Sequence, residues 1–175
     1  NIFAFQVDAS TGMLSSRVAV DVGDNPGVIR FAPSGGFAYV IVDGINVATL
    51  TVDTDTGLLS PASSETFGTP PTAIAVDPSG KFVFVTTADN NVSSFTVGAT
   101  GELQFVNSRA AGTSTSEIAV APSGEFLYVA NVDSVSTHAI DAAGVLGVGN
   151  LLDEGRNLMR SFVVDPSGRF AYAIT

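Results

Sequence analysis

Five polar residues break the symmetry of a chain that otherwise repeats: Asn25, Arg30, Glu117, Asn157 and Arg160. Arg30 stands where the other repeats carry Ala75, Ala119 and Val163, and Glu117 stands where they carry Val28, Ala73 and Ser161. A departure from a repeat costs packing, so it marks a candidate ligand-binding site. Two arginines and one glutamate leave a local positive charge within a molecule of net charge −10. Guanidinium groups offer paired N–H donors to carboxylate oxygens, so such a site favours a small anion over a cation. The competing reading is an arginine and a glutamate that pair only with each other.

Other residues with chemical potential have plainer readings. The single histidine, His138, falls in the column Phe5, Leu50, Phe95, His138, so a core histidine satisfied by a local hydrogen bond is expected. The run Asp53-Thr54-Asp55-Thr56-Gly57 alternates carboxylates as a calcium loop does, but no bidentate glutamate follows, and a hairpin turn fits better. Asn91-Val92-Ser93 is an N-glycosylation pattern of low specificity at the start of a strand. Gly-rich phosphate loops, nucleophile elbows and His-Glu metal motifs do not occur, and cysteine is absent. We therefore expect no catalytic residue of a familiar motif, no metal and no cofactor.

The elements that position these residues follow from two periodic turn signals. Pro-Ser-Gly occurs at Pro33, Pro78, Pro122 and Pro166, at intervals of 45, 44 and 44 residues. Each copy precedes an aromatic-rich apolar run beginning at Phe37, Phe82, Phe126 or Phe170. A second turn, closed by Gly12, Gly57, Gly101 or Gly144, keeps the same period. Pro presets φ, Gly supplies positive φ, and Asp caps the turn entrance. Four strands per repeat result. The first, 28–31, 73–76, 117–120 and 161–164, is innermost. The aromatic run is second, and 1–7, 46–52, 91–97 and 134–140 are third. A polar outer strand such as 102–107 is fourth, because its edge meets water.

The expected fold is all-β: a propeller of four-stranded antiparallel blades, with about four repeats of 44–45 residues and almost no helix. The chain opens on a third strand and stops on a second, giving a half blade at 1–20, blades near 24–66, 69–110 and 113–153, and a half blade at 156–175. Three arrangements remain open: a segment of a longer propeller, which we favour, two copies completing one ring, or one chain closing on itself. In a radial array the first strands lie nearest the axis, so the five polar residues converge at one mouth of the channel.

Composition narrows the partners. With 17 acidic and 7 basic residues, the surface repels phosphate backbones, and nucleic-acid binding is not expected. No apolar run reaches the roughly 18 residues of a membrane span. The acidic, lysine-poor composition suggests an exported protein, extracellular, at the cell surface or in the periplasm.

The string Asp77–Thr87 and the run Tyr128-Val129-Ala130-Asn131 resemble the Tyr-Val-Thr-Asn repeat of the lactonase-like, 6-phosphogluconolactonase-type propellers, a repeat also found in exported surface proteins. The resemblance runs along the whole chain and implies the propeller fold. It also implies His, Arg and Glu at one channel mouth, acting on a sugar lactone. Hydrolysis of a lactone needs an activated water and donors for the oxyanion. No residue of that enzyme pattern carries over position by position. The expected function is therefore a non-catalytic repeat module with a structural or protein-interaction role, completed by a protein partner or self-assembly. The alternative is a sugar-lactone hydrolase binding a small anionic sugar-type ligand near Arg30, Glu117 and Arg160.

Overall fold

Turn chemistry decides the architecture. In each Pro-Ser-Gly copy the glycine takes positive φ (74°, 73°, 76° and 70° at Gly35, Gly80, Gly124 and Gly168). Its N–H donates to the carbonyl of Ala32, Asp77, Ala121 or Asp165, and those four residues donate in turn to the carbonyls of Phe37, Phe82, Phe126 and Phe170. One hydrogen-bond pattern thus recurs four times and places the four phenylalanines at equivalent positions. At Asp77 the carboxylate reinforces it, accepting from Phe82 N at 2.8 Å and Ser79 N at 2.9 Å.

The computed structural model describes residues 1–153, 159 and 161–175. Within them the chain is all-β, with no helix. The first half blade is β1 (Ile2–Val7) and β2 (Leu14–Val20). Blade 1 is β3 (Ile29–Phe31), β4 (Phe37–Val42), β5 (Asn46–Val52) and β6 (Leu59–Thr66). Blade 2 is β7 (Pro71–Val76), β8 (Phe82–Thr87), β9 (Asn91–Val97) and β10 (Leu103–Ala110). Blade 3 is β11 (Glu117–Val120), β12 (Phe126–Ala130), β13 (Ser134–Ala139) and β14 (Asn150–Asp153). The last half blade is β15 (Ser161–Val164) and β16 (Ala171–Ile174). Every blade is antiparallel and ordered as its strands follow in sequence. Among the described residues β16 forms no ladder with β1, the pairing a self-closed four-bladed ring needs.

The largest departure from the expected strand bounds is in blade 2. The outer strand of blade 2 runs to Ala110 because a bulge between Phe105 and Asn107 realigns it with β9. The bulge frees the Asn107 amide to bond both the N–H and the C=O of Leu146 in blade 3, each at 3.0 Å.

The core lies between blades. Tyr39, Val47, Ile74, Val83, Val85 and Phe95 fill the space between blades 1 and 2. Phe84, Val92, Ile118, Leu127, Val129 and Leu146 fill that between blades 2 and 3. Middle sheets are covered on both faces, which is why β4 and β8 are nearly continuous apolar runs rather than alternating ones. Each fully buried large side chain contributes about 1.5–3 kcal/mol. A specific joint fixes neighbouring blades: the Phe37 ring lies over Gly101, where a Cβ would stand 2.6 Å from it, and Phe82 over Gly144, where a Cβ would stand 2.4 Å away. Thr49 and Ser94 hydroxyls donate to the carbonyls of those same glycines, at 3.3 and 2.6 Å. Asn131 closes the top of blade 3, with its Nδ2 donating to Ala111 O at 2.9 Å.

Candidate functional site at the channel mouth

The innermost strands β3, β7, β11 and β15 lie side by side in that order. Arg30 is the central residue of β3, and Glu117 opens β11, two blades further round. They meet: Arg30 Nη2 donates to Glu117 Oε1 at 3.2 Å, although 87 residues separate them. The second arm of the guanidinium, Nη1, donates to Ile29 O at 3.1 Å. The side chains stay 41% and 26% exposed, so the pair is in contact with solvent. Asn25 lies exposed in the loop before β3 with φ 48°, a left-handed conformation that asparagine adopts more readily than most residues. Asn157 and Arg160 lie outside the described residues.

Sequence reasoning missed a chain of hydroxyls beside this pair. Thr72 Oγ1 is 2.8 Å from Thr86 Oγ1 and 3.0 Å from Thr115 Oγ1, linking blades 2 and 3 just before Glu117. Threonine is a common strand residue, so only the near-repetition of hydroxyl residues at the starts of β7 and β11 could have signalled it. The loop before β11 is pinned by Ser114 N, which donates to Asn90 Oδ1 at 2.7 Å.

His138 has no hydrogen bond to this constellation among the described residues. It is fully buried in blade 3, with Nδ1 3.1 Å from Gly147 O and Nε2 3.2 Å from Ser136 Oγ. A carbonyl can only accept, so Nδ1 carries the proton and Nε2 accepts from the serine hydroxyl. Burial, aided by the Arg109 charge, holds its pKa below the ordinary value. The Asp53 loop is a hairpin turn, with Oδ1 accepting from Asp55 N at 3.0 Å and Thr56 N at 2.9 Å.

Antiparallel four-stranded sheets whose innermost strands lie side by side are the blades of a β-propeller. The family model described as lactonase, 7-bladed beta-propeller, matches residues 1–111 and 89–175, and the chain belongs to this family. No curated protein sequence matches it. Among solved structures, a candidate 6-phosphogluconolactonase from Bacteroides uniformis superimposes with a TM-score of 0.80 at 18% identity, over 97% of this chain and 56% of its own. One from Bacteroides fragilis gives 0.79 at 18% identity, over 98% and 56%. The periplasmic gluconolactonase of Pseudomonas aeruginosa gives 0.69 at 26% identity, over 81% and 43%. The chain thus spans about half the length of these relatives.

These findings correct the expectation of a non-catalytic repeat module: the family and its named members point to lactonase enzymes. The expectation leaned on missing motif residues. Blade-building positions dominate such a sequence, and they report the fold rather than the chemistry.

Proposed function

We propose that this chain forms part of a sugar-lactone hydrolase whose site lies at the channel mouth around Arg30 and Glu117. The observation that carries the reading is their pairing at 3.2 Å between blades 1 and 3 while both side chains remain partly exposed. In this reading Glu117 accepts a proton from the water that attacks the lactone carbonyl carbon. Arg30 donates to the carbonyl oxygen that becomes negative on attack, and the proton held by Glu117 passes to the ring oxygen as the ester C–O bond breaks. The product is a sugar acid, and its carboxylate suits the same guanidinium. The hydroxyls of Thr72 and Thr115 offer donors and acceptors to a polyhydroxylated substrate. Asn25, Asn157 and Arg160 complete the mouth in this proposal.

We assign the four repeats to a larger ring, in keeping with relatives about twice as long. We place the protein outside the cytoplasm, on the strength of its acidic, lysine-poor composition and a periplasmic relative. The test is lactone hydrolysis followed in a pH-stat, with gluconolactone and its 6-phosphate. Glu117→Gln and Arg30→Gln should each lower kcat/KM by about 10²–10³-fold with the fold intact. Activity unchanged in both variants would remove these residues from the chemistry.

A further inference from the structure

The loop between blades 2 and 3 departs from its counterpart between blades 1 and 2 at three places, and the departures fit one another. Glu117 faces Ala130 as Ala73 faces Thr86, so the carboxylate stands where the preceding blade has a methyl. Counted back from there, Ser114 takes the place of Pro70. The hairpin residue whose carbonyl accepts the first N–H of each loop is Ile45 in blade 1 and Asn90 in blade 2. An isoleucine side chain accepts nothing and a proline has no N–H to give, so this side-chain tie cannot form between blades 1 and 2. One blade further on both halves are present, and Ser114 N donates to Asn90 Oδ1 at 2.7 Å. The tie arrives in the same loop as the carboxylate.

Backbone conformation marks the same places. Among the described residues, four that are not glycine have positive φ: Asn25 (48°), Asp43 (52°), Asn90 (66°) and Ser114 (53°). All four lie in the loops that run into β3 and β11 or in the hairpins that tie those loops. Ahead of Arg30, Asp24 N donates to Asp43 Oδ1 at 2.6 Å. A side chain in the left-handed region is disfavoured, and it persists where its surroundings enforce it. At Asn90 the usual hairpin residue is glycine; asparagine tolerates the same conformation and adds an acceptor. Ser114 is held from both sides. Thr113 O accepts from Val132 N of blade 3 at 3.2 Å, and Thr115 Oγ1 lies 3.0 Å from Thr72 Oγ1 of blade 2. The strained residue is thus fixed between two blades shortly before Glu117.

We infer that Asn90 is a positioning residue. Through the Ser114 N–H it fixes the start of blade 3 against blade 2, and so fixes where Glu117 meets Arg30 of blade 1. Asn90 has no hydrogen bond to either charged residue among the described residues and acts on them only through the loop. Its part in catalysis rests on the reading of Arg30 and Glu117 as a lactonase site; its part in setting their contact does not.

The experiment compares Asn90→Gly, which keeps the left-handed backbone and deletes only the acceptor, with Asn90→Asp, which keeps an acceptor oxygen. Two readouts are taken on the intact protein. By NMR, the guanidinium resonances of Arg30 should move in Asn90→Gly and return toward wild type in Asn90→Asp. In a Glu117→Gln background they should no longer respond to Asn90→Gly. A merely structural role would disturb the amides around Ser114 and leave Arg30, a residue of blade 1, unmoved. In gluconolactone hydrolysis, Asn90→Gly should lower kcat about tenfold with KM within about twofold, because misplacing a reacting group costs rate more than binding. Asn90→Asp should recover most of that loss. Ser114→Pro deletes the donor instead, in the form the preceding loop carries, and covers the case in which Asn90→Gly fails to fold. Arg30 resonances unmoved by the loss of the tie, or not restored in Asn90→Asp, would overturn the assignment. Resonances that move in a protein without lactonase activity would uphold it and remove the lactonase reading instead.

Discussion

Replacing single turn glycines by alanine separates two costs that are usually confounded. Gly57 and Gly101 occupy the same turn in successive blades, with φ of 72° and 84°. Around Gly57 an added Cβ meets nothing within 4 Å, whereas at Gly101 it would stand 2.6 Å from Phe37 Cδ1 and 2.8 Å from Cε1. Gly57→Ala therefore pays only for a left-handed backbone, about 1–2 kcal/mol. Gly101→Ala carries that plus the overpacking of a blade joint, a further 1–3 kcal/mol or so. Gly144→Ala, with Phe82 at 2.4 Å, should behave like Gly101→Ala. Urea unfolding of the three variants, followed by far-ultraviolet circular dichroism, gives the comparison directly. Trimming the opposing ring, as Phe37→Leu in the Gly101→Ala background, should recover part of the excess. Equal losses at Gly57 and Gly101 would refute the idea that ring-over-glycine contacts lock one blade to the next.

Four further outcomes are expected. Arg30→Ala should change stability by no more than about 1 kcal/mol, because the pair is substantially exposed and screened, so any large loss of activity in that variant is not a loss of fold. Asn131→Asp should cost roughly 2–4 kcal/mol in thermal unfolding, since it sets a carboxylate against the carbonyls of Ala111 and Val129 that the amide now donates to. His138 has its pKa depressed by burial, so the unfolded chain binds the proton more readily. Its contribution to stability is complete above the ordinary value near 6.5 and is lost as pH falls from there through the folded pKa, and His138→Phe should erase that part of the pH profile. The Asp8 carboxylate, held by the hydroxyl and backbone of Ser10 and the backbone of Thr11, should titrate at about 2 by NMR, and Ser10→Ala should return it toward 3.8.

The sequence made the blades readable because turn residues repeat with the fold. Gly35, Gly80, Gly124 and Gly168 do the same backbone work, and β5, β9, β11 and β15 begin and end where the turn spacing places them. The bulge in β10 was not readable, since Phe105, Val106 and Asn107 carry no local signal for one unpaired residue. Arg30 and Glu117 were recoverable because each interrupts a column of small side chains. Their partnership was expected, but its distance and exposure depend on the curvature of three successive sheets. The hydroxyl chain of Thr72, Thr86 and Thr115 was hidden, because threonine in a strand needs no functional explanation. The reading of function failed for a related reason: regular columns report packing and are silent about chemistry.

The Arg30–Glu117 pair has a consequence for how stability is distributed. Repeat arrays are commonly described by intrinsic terms for each unit and interfacial terms between adjacent units. This pair skips blade 2 and couples blades 1 and 3 directly, a next-nearest-neighbour term that such a sum omits. Loosening the joint on either side of blade 2 should therefore be felt at the axis as a change in the pair's geometry. A double-mutant cycle on Arg30 and Glu117, repeated in the Gly101→Ala background, would read that coupling as a strain gauge set across the channel.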